Sequence, residues 1–336
     1  MLFGPLRAAF AGFSLPAGQA PKANTPLTHG PVLGTQSRVP ICSTLESGSQ
    51  RSALRLGCQV SIETKEFTGK NILITGAGRG IGKRLALGFA RRGARIALVG
   101  RSKAEIDLAH IEIEQAGGNA LRIRADVTDP ERLSLAVDQV RIAFGSSIDV
   151  LICAAAITGP LSSFLKSPLK AWTETIQINL LGVVHSCRAV LPSMVERRAG
   201  KIIVLTCDSD QIPKLNFSAY STSKTGVVRF VECLAPELLD HNVQINSLDP
   251  GPAYTNVTDE IIKAGAYLEQ RVVSDAKEVR RTGGVSPDLQ MEHAAFLASE
   301  QSNHVTGKLI HVTDDWKKLR NATLRPDALT LRRQPK

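Results

Sequence analysis

Two stretches of the chain hold residues whose types and spacing could do chemistry. The first is YSTSK, Tyr220 to Lys224. Four residues apart on a helix, the phenol and the ammonium share one face. An ammonium beside a phenol favours the phenolate and lowers the tyrosine pKa toward the range useful to a general acid or base. The pattern YxxxK also arises freely by chance, and an exposed i,i+4 pair is the alternative reading. Where the chain places the pair decides between the two.

The second stretch is TGAGRGIG, Thr75 to Gly82, set between the apolar run NILI and the pattern KRLALGFARRG. A glycine-rich turn between a strand and a helix can seat a dinucleotide pyrophosphate on backbone N–H groups at the positive end of the helix. Gly76 would permit the tight turn, Gly80 the close approach of phosphate and Gly82 the packing of helix on strand, with Thr75 and Ile81 completing the candidate cradle. The spacing is TGxxxGxG rather than GxGxxG, and a glycine-rich turn alone also suits a purely structural bend. Here both flanks are present, which favours the nucleotide.

The charges nearby bear on which nucleotide. An acid about 20 residues past the glycines takes the ribose 2′-hydroxyl of NAD, while an arginine there suits the 2′-phosphate of NADP. In ALVGRSKAE no acid stands at Gly100 or Arg101, and the first is Glu105. Arg79 and Arg101 could grip a dianionic phosphate from two sides, which favours NADP(H) over NAD(H); a solvated loop arginine is the alternative for Arg101. Asp126, in RADVTD, could accept from the adenine amino group, with Val127 beside it. Helix N-capping by Asp129 or Thr128, ahead of Pro130, accounts equally well for their presence.

These residues need elements to position them. Apolar, β-branched runs recur at 71–75, 95–99, 120–124, 149–153, 201–205, 243–248 and 308–312. Segments of helical period lie between them at about 81–92, 103–116, 130–144, 169–198, 218–240 and 288–299. Strand alternating with helix at this spacing predicts βαβ units and a parallel sheet. Strands apolar throughout require helices on both faces, so the expectation is a doubly wound α/β domain with a mainly parallel seven-stranded sheet over residues 66–315. The glycine turn follows the first strand and YSTSK follows the fifth, at the carboxyl edge where doubly wound folds bind ligands.

The ends differ from this body. Residues 1–65 are rich in Gly, Pro, Ser and Thr without sustained periodicity, which predicts a disordered extension or a targeting segment. The opening MLFGPLRAAFAGFSLPAGQA makes a poor signal peptide and a passable transit peptide, so the expected location is the cytoplasm, or an organelle if the segment is read. The net charge of +10 sits in the ends: six Lys or Arg against two acids in residues 1–65, and seven against one in the basic tail 316–336, leaving 28 of each between. A neutral body without a basic, aromatic-studded stripe argues against nucleic acid. No apolar run approaches the roughly 18 residues of a membrane span, and six scattered cysteines indicate neither a disulfide framework nor a metal site.

TGAGRGIG, YSTSK, the INLLG run containing Asn179 and DPGPAYT after the sixth strand together resemble the short-chain dehydrogenase/reductase family over about residues 67–315. The resemblance implies a single Rossmann-fold domain, a homodimer or homotetramer, and a small-molecule carbonyl or alcohol substrate. It implies that Tyr220 exchanges the proton with the substrate oxygen, that Lys224 lowers its pKa and holds the nicotinamide ribose, and that Asn179 supports a proton relay. Pro250, Gly251 and Thr255 would border the nicotinamide, and Ala154 would lie near the cofactor. The chain departs from the family pattern in three places. The serine that polarises the carbonyl is Cys207, a weaker donor, unless Ser209 replaces it. The NNAG stretch reads CAAA, Cys153 to Ala156, and VDGG reads VTDD, Val312 to Asp315. The expected function is an NADP(H)-dependent oxidoreductase interconverting a ketone or aldehyde with an alcohol, in the manner of a 3-oxoacyl-thioester reductase or a general carbonyl reductase. Cys207 and CAAA motivate the alternative, an NADP-binding sensor or scaffold with little turnover.

Overall fold

The computed structural model describes residues 65–207 and 213–332. Of the expectations above, the extension up to residue 64 and Ser209 lie outside the described residues.

Among the described residues, seven strands form one sheet: β1 (Asn71–Thr75), β2 (Arg95–Gly100), β3 (Asn119–Arg124), β4 (Val150–Cys153), β5 (Gly200–Leu205), β6 (Val243–Asp249) and β7 (Leu309–His311). Their order is β3-β2-β1-β4-β5-β6-β7, and every neighbouring pair is parallel. Parallel neighbours need crossovers, which the intervening helices supply. Successive side chains along a strand face opposite sides, and the core divides accordingly. Ile72, Ile74, Ile96 and Leu98 pack with Leu85 and Phe89 of α1 (Gly80–Arg91) and Ile106 and Ile113 of α2 (Lys103–Gln115). Leu73, Ala97, Val99 and Leu151 face the other way, onto Leu133 of α3 (Pro130–Phe144) and the next two crossover helices. The result is the doubly wound fold that the apolar strands predict.

The crossover after β4 is a single helical run in three parts: α4 (Leu169–Ile176), a π-helical turn (Gln177–Leu181) and α5 (Gly182–Arg197). The periodicity predicts one uninterrupted helix over 169–198. A π-turn opens the backbone ladder at one place and tends to occur at functional sites; here it contains Asn179. By length and mean hydropathy the run Leu169–Arg197 could cross a membrane. Its apolar residues Val183, Cys187, Val190 and Met194 are instead buried against the sheet as part of the core.

Helix α6 (Ser218–Leu238) follows β5. After β6 comes an excursion, a lid of two helices: α7 (Asn256–Lys263) and α8 (Gln270–Thr282), closed at its base by a bridge between Ala253 and Gly284. Its helices escape the periodicity argument because α8 buries only Ala276. Helix α9 (Pro287–Ala298) returns the chain to the core and β7. The basic segment beyond residue 315 then packs back, beginning with α10 (Trp316–Leu319), whose Trp316 ring lies 5.7 Å from that of Phe296.

Candidate active site

Strand order reverses between β1 and β4, so their carboxyl ends part and leave a crevice, the place where open α/β sheets bind ligands. A cleft of about 320 Å3 occupies this position, lined by the glycine turn, the ends of β2 and β4, α6 and the start of the lid. The carboxyl ends of β1 to β6 each deliver residues to it, which is why residues remote in sequence meet there.

The glycine turn is shaped by contacts that no side chain would survive. Gly76 has a left-handed φ of +69°, and a Cβ on it would stand 2.7 Å from the backbone of Ala155. A Cβ on Gly82 would lie 2.4 Å from the carbonyl oxygen of Gly76, so α1 can pack this closely on β1 only with glycine there. Gly80, Ile81 and Gly82 line the cleft at the N-terminus of α1, and Arg79 in the capping position makes no side-chain cap hydrogen bond. By contrast α2 and α3 are capped by Ser102 and Asp129. A backbone cradle at an uncapped helix N-terminus fits a pyrophosphate.

Arg79 and Arg101 both line the cleft, as the charge argument requires. Each faces a carboxylate: Arg79 Nη1 is 3.4 Å from Glu105 Oε1, and Arg101 Nη1 is 3.7 Å from Asp126 Oδ2. Asp126 does not line the cleft; its Oδ1 accepts from the Thr128 N–H at 3.0 Å and hydroxyl at 2.9 Å, while Val127 does line it. Asp129 caps α3 by accepting from the Arg132 N–H at 3.0 Å.

At the other end, Tyr220 and Lys224 stand one turn apart on α6 and both line the cleft. Lys224 is buried, its Nζ donates to the Leu205 carbonyl at 2.9 Å and lies 5.9 Å from the centre of the Tyr220 ring. The lysine is thus tied to the end of β5 as well as to its own helix. Ser223, between them, donates to the Tyr220 carbonyl at 2.7 Å and accepts from Asn179 Nδ2 at 3.0 Å. Asn179 and Thr75 are buried just behind the lining. Cys207 is half-buried two residues beyond β5.

Ala154 and Pro250 line the cleft, and Gly251 is held by its N–H donating to Asp249 Oδ1 at 2.8 Å. Thr255 closes a reciprocal cap with Thr258 at the start of α7. Cys153, where the family pattern has asparagine, faces Cys187; hydrogen bonding with Cys153 and burial push the Cys187 thiol well above its usual range. In the lid, the Tyr254 hydroxyl donates to Asp259 Oδ2 at 3.1 Å and neither Tyr254 nor Tyr267 is part of the cleft lining.

Two residues that the sequence does not single out also meet there. The Thr158 hydroxyl, on the loop after β4, donates to the carboxylate of Glu260 on α7, joining the lid to the body across the cleft. Burial pushes the Glu260 carboxyl up, against the opposing pull of the Arg79 charge. Nothing in the spacing of TNVTDEII marks Glu260 among its acidic neighbours.

The sequence profile of the family described as short chain dehydrogenase matches residues 70–265. The 5-keto-D-gluconate 5-reductase of Escherichia coli is 31% identical over 246 residues, 73% of this chain and 94% of that protein. A 3-oxoacyl-acyl-carrier-protein reductase of Staphylococcus aureus is 30% identical over 244 residues, 72% of this chain and 96% of the relative. Among solved structures, NAD+-bound xylitol dehydrogenase superposes with a TM-score of 0.68 at 27% identity, covering 73% of this chain and 98% of its own.

Proposed function

The chain belongs to the short-chain dehydrogenase family, and from that premise we propose that it is an NADP(H)-dependent oxidoreductase that interconverts a ketone or aldehyde with an alcohol. The observation that carries the reading is the meeting of the glycine turn, Arg79, Arg101, Tyr220 and Lys224 in one cleft at the reversal of strand order. A bound nicotinamide dinucleotide supplies or takes up the hydride.

The chain's own residues do the rest. The α1 N-terminus and glycine turn hold the pyrophosphate, and Arg79 and Arg101 favour a 2′-phosphate by charge-assisted hydrogen bonds. Lys224, fixed by the Leu205 carbonyl, keeps its ammonium beside the phenol and favours phenolate, so that Tyr220 can give or take the proton at the substrate oxygen. By its place in the family pattern, Cys207 stands for the serine that donates to the substrate oxygen, and its S–H is the weaker donor. Asn179 holds the loop after β4 in register with α6 through Ser223 and Ile157.

The relatives are named as reductases of 5-keto-D-gluconate and of a 3-oxoacyl-acyl-carrier protein, so the panel for the test spans keto sugar acids, simple ketones and aldehydes, and a 3-oxoacyl thioester. Consumption of NADPH by the full chain that falls by about 100-fold or more in Tyr220→Phe supports the reading. NADPH binding without turnover on any member would favour the second reading, a cofactor-binding sensor, which Cys207 and the CAAA stretch motivate. Absence of NADPH and NADH binding would overturn both.

A further inference from the structure

The two arginines offered to a 2′-phosphate are each engaged with a carboxylate, and the two carboxylates are placed differently. Asp126 spends one oxygen on Thr128 behind the cleft, whereas Glu105 lines the cleft itself. Glu105 is the third residue of α2, with its N–H donating to Ser102 Oγ at 3.3 Å. At that point α2 presses on the glycine turn: a Cβ on Gly78 would stand 2.8 Å from the Cβ of Glu105. A glycine in the turn and a helix start behind it therefore bring one carboxylate to the ribose end of the cleft.

Stability does not account for the pair. The side chains of Arg79 and Glu105 are 47% and 40% exposed, and surface ion pairs of this kind contribute little. Position accounts for it better. In doubly wound folds an acid past the second strand accepts from the ribose 2′-hydroxyl of NAD, and an arginine nearby accommodates the 2′-phosphate of NADP. The end of β2 offers Gly100 and Arg101 and no acid. Glu105 supplies the acid one helical turn later, and it is paired with the very arginine that would meet the phosphate.

We propose that Glu105 sets the cofactor preference of the cleft, holding Arg79 so that both NADH and NADPH are accepted and the preference for NADPH stays small. The proposal rests on the reading of the cleft as a nicotinamide dinucleotide site. Toward a ribose 2′-hydroxyl, one Glu105 oxygen accepts the hydrogen bond while Arg79 stays on the other. Toward a 2′-phosphate, Arg79 exchanges carboxylate for phosphate, and the carboxylate it leaves repels the dianion. Removing the charge at position 105 frees Arg79 and removes the repulsion together.

The test is titration of the full chain with NADPH and with NADH, followed by nicotinamide fluorescence at about 0.15 M salt, where exposed charges are screened as in the cell. Glu105→Gln is expected to raise the ratio of the NADH to the NADPH dissociation constant by about tenfold, and Glu105→Lys to raise it further. In an Arg79→Met background, Glu105→Gln is expected to change the ratio less than about threefold, because the two side chains act through each other. Binding of both cofactors with a ratio unchanged by Glu105→Gln, or an equal change with and without Arg79, would overturn the proposal and leave the proposed activity standing. Failure of the unaltered chain to bind either cofactor would overturn that activity and the proposal with it.

Discussion

Asn179 and Ile157 are joined by two hydrogen bonds through a single side chain: the Ile157 N–H donates to Asn179 Oδ1 at 2.9 Å, and Asn179 Nδ2 donates to the Ile157 carbonyl at 2.9 Å. The amide thus completes the backbone of the loop after β4 as a neighbouring strand would. Asn179 reaches it because the π-helical turn Gln177–Leu181 shifts its side chain off the regular helical face.

Replacing Asn179 by alanine leaves the N–H and the carbonyl of Ile157 without that partner in a part-buried place on the cleft wall. The expected loss of stability is about 1 to 2 kcal/mol, since water in the cleft can meet part of what these part-buried backbone groups lose. Turnover should fall by more than the fraction unfolded, since Ile157 and Ser223 both lose their register. Urea unfolding and kcat measured on the same preparation check this, and an unchanged kcat in the folded fraction would remove Asn179 from the proposed machinery.

By its place in the family pattern, Cys207 offers a thiol where the proposed chemistry asks for a donor to the substrate oxygen. A hydroxyl donates more strongly than a thiol. Cys207→Ser is therefore expected to raise kcat about three- to tenfold, the equivalent of about 1 kcal/mol of added hydrogen bonding in the transition state. A fall in kcat would mean that this chain has fitted its site to the larger sulfur.

Much of this site was legible before the fold. The strands announced themselves because they are buried on both faces and so read as apolar runs, as in NILIT of β1. The glycine turn and YSTSK were legible because each needs particular residue types at fixed spacing. The π-turn was not, since Leu169–Arg197 carries an uninterrupted helical pattern and the extra residue is paid for by tertiary hydrogen bonds at Asn179. Glu260 and Thr158 were not, because they are 102 positions apart and meet only through the lid. Glu105 was visible only as the first acid after β2; its pairing with Arg79 depends on how closely α2 approaches Gly78.

Far from the cleft, at the opposite end of the sheet, Lys201 of β5 is buried with its Nζ 2.7 Å from Asn303 Oδ1 and 3.3 Å from Ser302 Oγ. Burial pushes its pKa down from 10.5 to about 8, with the Glu300 charge opposing. Between those two values the unfolded chain holds a proton that the folded chain has released, so this group's contribution to stability grows as pH rises through the window. Relative to Lys201→Met, the unaltered chain should gain about 2 kcal/mol between about pH 7.5 and about pH 10. The hydrogen bonds lost in the variant add a constant offset, so the slope of the difference, measured by urea unfolding, is what decides. A flat difference would mean that Lys201 keeps an ordinary pKa.

The basic C-terminal segment makes a different prediction as packed chain than it would as a solvated arm. Lys308 Nζ donates to the carbonyls of Arg325, Pro326 and Ala328, each at 2.9 Å, and the Leu309 N–H donates to the Leu329 carbonyl at 2.7 Å. Trp316, Leu319, Leu324 and Leu329 pack against the core on the α1, α2 and α9 side. Ending the chain at Asp315 would strip these contacts and leave the Lys308 ammonium without its three carbonyls. The loss should reach about 3 kcal/mol or more, from apolar area returned to water and hydrogen bonds unmade. A fall in the thermal midpoint of the truncated chain, with cofactor still binding to what remains folded at low temperature, is the expected result. Charge alone would give the opposite pattern: an unchanged midpoint and a loss only of affinity for polyanions such as heparin, which would show the segment to act as an arm rather than as part of the core.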